Sequence, residues 1–173
     1  NDNLYGVGFV VHLNPRPAFS PQLRSILAGA AKGIPFDGVH EEAVYVTIPG
    51  DRFGTTAEGR KRRQYADIVG MTVCPEASFA MQLGLHYAVA AFPVDMDDDA
   101  NHEHKTLKIM QELSQPELVP AFIEKAAGDA LVFAKSPPRL EQLVGNIIAV
   151  SYDAIEPPVL RDFARELYDL HKS

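Results

Sequence analysis

The chain has no tryptophan, a single cysteine, and no uninterrupted apolar run of the roughly 18 residues that a bilayer-spanning helix requires. Cys74 alone cannot close an internal disulfide, so a cystine-stapled scaffold is excluded, and the lone thiol fits a reducing, cytoplasmic compartment. Positive charge is also scarce. The 16 Lys and Arg stand against 23 Asp and Glu, a formal net charge of −7, which argues against a polybasic nucleic-acid arm. The N-terminus lacks the basic-then-apolar layout of a signal peptide, so no membrane partner is expected. What remains is a chain of 173 residues, 46% hydrophobic. A domain of that size can bury roughly 70% of its unfolded surface, enough for one core with a cleft and no metal or disulfide staple.

The organising signal is an alternation of short β-branched runs with helical segments. Ser20-Pro21 starts a helix over 18 to 32, with Gly33 placed to end it. Residues 43 to 48 alternate as a strand until Pro49-Gly50 stops them. Thr55-Thr56-Ala57-Glu58 is a capping box, and its helix is expected to reach about Tyr65. Residues 67 to 72 form a second, buried strand, Cys74-Pro75-Glu76 opens a helix that Gly84 closes, and 85 to 92 are expected as a third strand. Short links between such elements imply right-handed crossovers, hence an α/β class with helices around a mainly parallel or mixed sheet. Helices are expected from Asn101 to Leu113, Pro120 to Ala127, 140 to 150 and 159 to 171. The expected organisation is an α/β portion over 1 to 113 and a helical extension over 114 to 173 packing on it.

In open α/β sheets, ligands sit beyond the carboxyl ends of the strands. Three segments have that position: Gly50 to Thr56, Gly70-Met71-Thr72, and Pro93 to Asp99. An aromatic ring, a hydroxyl and at least two carboxylates would converge there, which suits a flat heterocycle joined to a polar group.

Four blocks in order carry a resemblance: 46 to 53 (VTIPGDRF), Thr56-Ala57-Glu58, Ile68 to Thr72 with Pro75-Glu76, and Asp95-Met96-Asp97. They resemble the purine nucleoside phosphorylases, in particular the methylthioadenosine phosphorylase branch, over about residues 4 to 113. The resemblance implies phosphorolysis of a purine nucleoside of the 6-amino type, with inorganic phosphate as co-substrate and no organic cofactor. It implies Asp95 as the acid assisting the leaving base at N7, Asp97 as reader of the 6-amino group, Met71 under the ribose, and Phe53 against the base. Thr72 would donate to phosphate, and His102 would approach the sugar 5′ end. A homo-oligomer, a trimer in this branch, is also implied.

The sequence departs from the family pattern at Asp51, usually proline, and at Gly54, usually a hydroxyl or carboxylate residue. The family's glycine-rich phosphate loop and Arg-His pair belong to an N-terminal half, and Gly6 and Gly8 form no such cradle. Asn1 is accordingly expected to fall mid-way along a full member, with a complementary N-terminal chain completing the site. The alternative is a noncatalytic nucleoside-binding or assembly subunit. A metal site is not expected in the acidic run, because His102 and His104 lie about 200° apart on a helix and cannot face one ion together. Arg60-Lys61-Arg62-Arg63 is expected as a solvated or subunit-facing charged surface, and Cys74 as a packing residue.

Overall fold

In a computed structural model of the chain, which describes residues 9–11, 14, 16–97, 102–135, 147–149 and 158–172, a helix starts where Ser20-Pro21 predicts one. The order is β1 (Phe9–Val11), α1 (Pro21–Ala31), β2 (Tyr45–Thr47), α2 (Thr56–Arg62), β3 (Ile68–Gly70), α3 (Val73–Gln82), α4 (His102–Leu113), α5 (Val119–Ala130), a 3₁₀ turn (Leu131–Lys135), β4 (Ile147–Ala149) and α6 (Pro158–Lys172). Contacts divide the chain into two compact units.

The first unit, Pro21–Cys74 with Ala88–Lys135, holds the parallel pair expected from the sequence. β2 and β3 run side by side with Tyr45 opposite Ile68, Val46 opposite Val69 and Thr47 opposite Gly70. Parallel neighbours need a crossover, and α2 lies within it. The ladder is closed at one end by Asp67, whose carboxylate accepts from Val44 N at 2.7 Å while the amides of Asp67 and Ile68 donate to Val44 O. At the other end Ile48 N donates to Gly70 O.

The core of this unit lies between α1 and α5, where Ala30, Ala31, Phe122 and Ala126 are buried. The alanines leave room for rings: Phe36, Phe92 and Phe122 stack with centroids 5.5 to 6.1 Å apart in tilted or edge geometry. Each such pair stabilises by about 0.5–1.5 kcal/mol beyond its area burial.

The second unit comprises Asn1–Ser20, Pro75–Tyr87 and Ser136–Ser173. Here β1 and β4 pair antiparallel, with Val10 opposite Ile148. Fully buried Ser20 is in hydrogen-bond contact with His86 Nδ1 at 2.9 Å, and its amide donates to Tyr87 O at 2.8 Å. The Tyr87 hydroxyl donates to the Glu76 carboxylate at 3.1 Å. Ala164 of α6 is fully buried.

α3 begins with a break at Cys74 (φ −104°, ψ 134°), because Pro75 drives the preceding residue out of helical space. Its far end is a Schellman turn: Gly84 has φ 66°, its amide donates to Met81 O, and Leu85 N donates to Ala80 O.

Two expected elements differ. Residues 85 to 92 form no strand. Val89 sits among Ala88, Ala90 and Ala91, which offer little cross-strand surface, and strand propensity becomes a strand only where a neighbour supplies the ladder. The helix expected over 140 to 150 is contradicted at Ile147–Ala149, where pairing with Phe9–Val11 makes a strand of the run instead. Asn101, the expected cap of α4, lies outside the described residues.

Candidate functional site

The loop after β2 is fastened to α2 by its own charges. Thr55 caps the helix: its hydroxyl accepts from Glu58 N at 3.3 Å, and the Glu58 carboxylate accepts from Thr55 N at 2.7 Å. Arg52 donates to both oxygens of that carboxylate at 2.9 and 2.8 Å and also to Phe53 O at 2.9 Å. The Arg52 guanidinium, followed by the Thr55 donors, holds the Glu58 carboxyl well below the usual carboxylate range, and Glu58 in turn raises Arg52. The loop is thereby tied to the start of α2.

A cavity of about 360 Å³ lies in the same unit, bounded by β2, β3, α2 and the segment Val89 to Asp97. Its walls are apolar at Val46, Val69 and Phe92, and polar at Thr72, Asp95, Asp97 and Arg62. Of the expected site residues, Thr72, Asp95 and Asp97 are brought together here. Asp95 and Thr72 are exposed at its wall, and Asp97 is half-buried.

The remaining expected residues are placed elsewhere. Phe53 is 71% exposed and does not line the cavity. Met71 is half-buried beside Gly50, also off the cavity wall. His102 is the first residue of α4, and its side chain lies outside the described residues.

One residue of this site was not expected from the sequence. Arg62, placed by its neighbours in a solvated charged run, turns inward and donates to Asp97 through Nε at 2.7 Å and Nη2 at 2.9 Å. The two side chains are only 12% and 21% exposed, and Asp97 raises the Arg62 pKa. Two parallel hydrogen bonds of this kind fix orientation as well as charge. Gly54 leaves the space: a Cβ there would collide with Arg62 Nη2 and stand 3.2 Å from Asp97 Oδ1. Gly59 and Arg62, three residues apart on α2, line the cavity together with Ala66 beyond the helix end. Among the described residues no group of three or more His, Cys, Asp or Glu is placed to hold a metal ion, and no helix is long and apolar enough to cross a membrane.

Comparison with known proteins gives the site a context. The chain is 39% identical over 108 residues to the S-methyl-5′-thioadenosine phosphorylase of Pyrococcus abyssi, covering 60% of this chain and 41% of that protein. It is 42% identical over 98 residues to the enzyme of the same name from Aedes aegypti, covering 56% and 34%. Among solved structures, a methylthioadenosine phosphorylase from an antarctic soil metagenomic library matches with a TM-score of 0.70 and 26% identity, over 95% of this chain and 59% of that one. A double mutant of the adenosine/methylthioadenosine phosphorylase from Schistosoma mansoni in complex with adenine matches with a TM-score of 0.65 and 29% identity, over 79% and 56%. The chain thus spans less than half the length of these curated relatives. The family described as the phosphorylase superfamily matches residues 2–135, most of the sequence, and the chain belongs to that superfamily.

Proposed function

We propose that this protein takes part in phosphorolysis of a purine nucleoside of the methylthioadenosine type, giving free purine and a ribose-1-phosphate derivative. The observation that carries the reading is the meeting of Thr72, Asp95 and Asp97 on one cavity in a chain of this superfamily. The curated relatives are named for the same nucleoside.

In that reaction a phosphate oxygen attacks the anomeric carbon while the bond to purine N9 breaks, and the bonding pair leaves with the base. Positive charge builds on the sugar and negative charge on the purine. Groups placed where that charge develops lower the barrier. Asp95 serves as the acid that delivers a proton to N7 of the departing base. Thr72 donates its hydroxyl to phosphate. Asp97 accepts from the 6-amino group with the lone pairs Arg62 does not engage, since a carboxylate offers about four acceptor positions and the pair uses two. Met71 and Phe53, which the resemblance assigns to the ribose and base faces, lie off this cavity and are given no contact in the reading. Inorganic phosphate is the co-substrate, and no organic cofactor is required.

The relatives' sequences outside the matched stretch are the source we assign for the rest of the phosphate site, on a complementary segment or on a neighbouring copy in a homo-oligomer such as a trimer. The test is phosphate-dependent release of adenine from methylthioadenosine, by this chain alone and with any co-purifying polypeptide. Release in either arm supports the reading. Nucleoside binding without turnover in both arms would instead favour a noncatalytic binding or assembly subunit, and absence of binding would overturn both.

A further inference from the structure

The strongest unassigned feature is the guanidinium that fills the space beside Gly54. It engages both oxygens of the carboxylate on the cavity wall, and the pair is mostly buried. A free carboxylate facing a purine accepts from a 6-amino group and repels a 6-oxo group, so an unpaired Asp97 would discriminate strongly. A carboxylate neutralised by a two-point guanidinium partner loses most of that repulsion while keeping its orientation. The contact uses Nε and Nη2, so Nη1 of the same group lies outside the pair and is a donor, the polarity a 6-oxo group needs.

We propose that Arg62 is a specificity-determining residue: by pairing with Asp97 in the space left by Gly54, it relaxes the choice between 6-amino and 6-oxo purines, so that this site accepts both classes. The inference rests on the purine reading above and deepens it.

The test is calorimetric titration of the full chain with adenine and with hypoxanthine at pH 8 in phosphate buffer. The wild-type protein is expected to bind the two within about tenfold of each other, whereas Arg62→Met should shift the ratio toward adenine by about tenfold or more, the scale of a contact made or lost with one polar substituent. Gly54→Ala, which keeps both side chains but crowds the guanidinium, should shift the ratio in the same direction. Arg62→Lys, which keeps the charge but loses the two-point contact and Nη1, should shift the ratio toward adenine by less than Arg62→Met does. A wild-type protein that rejects hypoxanthine by more than about a hundredfold overturns the proposal, as does an unchanged ratio in both Arg62→Met and Gly54→Ala when circular dichroism shows them folded. If neither base binds the wild-type chain, the purine reading itself falls and takes this inference with it. If adenine binds and only the ratio fails to move, the purine reading survives and Arg62 has no part in specificity.

Discussion

The Tyr45 hydroxyl lies over Gly70, in the space a side chain on that glycine would occupy. The two belong to adjacent parallel strands, where Tyr45 stands opposite Ile68 and its ring reaches along β3. Gly70→Ala must therefore displace a ring with two torsions rather than a flexible tip. The expected cost is about 1–3 kcal/mol, as for overpacking elsewhere. Urea unfolding of Gly70→Ala, Tyr45→Ala and the double variant should give strong coupling, with the alanine nearly neutral once Tyr45 is gone.

The fastening of the loop to α2 makes stability depend on acid. The Glu58 carboxyl is depressed in the folded chain relative to about 4.3 in an unfolded one, so it binds its proton less readily when folded. Its contribution is therefore complete above the unfolded value and lost as pH falls from there toward the depressed one. Wild type should melt above Glu58→Gln at pH 7, and the two curves should converge below pH 4. A gap that stays constant with pH would show that the charge has no role. Thr55→Ala, which deletes the cap and one donor to Glu58, is expected to cost about 1 kcal/mol at pH 7 and less once Glu58 is protonated.

Phe122 is 5% exposed and touches both Phe36 and Phe92. Truncation to Ala should lower the unfolding free energy by about 3–4 kcal/mol, since it removes both ring contacts and leaves a cavity in the core. Phe92 also walls the cavity. Adenine affinity measured by titration should consequently fall in Phe122→Ala even at temperatures where the variant remains folded.

If Asp95 supplies the proton for the departing base, Asp95→Asn should depress turnover of methylthioadenosine by at least tenfold, within the span of about 10² to 10⁴ typical of one general acid. The exposed position of Asp95 predicts little change in melting temperature. Unaltered turnover would remove the residue from that role.

Much of the local architecture is legible in the sequence because its causes lie within a few residues of each other. The Thr55–Glu58 box satisfies its own orphan amides, Pro75 breaks the residue before it, and Gly84 takes the left-handed turn that ends α3. The blocks around Thr72, Asp95 and Asp97 stand out in the sequence, and the structure places these three residues on one cavity. What escaped were the outcomes that a distant partner decides. Residues 147 to 149 are a strand because residues 9 to 11 offer an edge, whereas the alanine-rich run over 85 to 92 forms none. Arg62 looks in the sequence like one more solvated cation among Arg60, Lys61 and Arg63. Its turn inward to Asp97, 35 residues away, follows from the small side of α2 and the space at Gly54. Local hydrogen bonds and steric rules act along the chain and so can be read from it, but a charge finds its partner only once folding has set which faces meet.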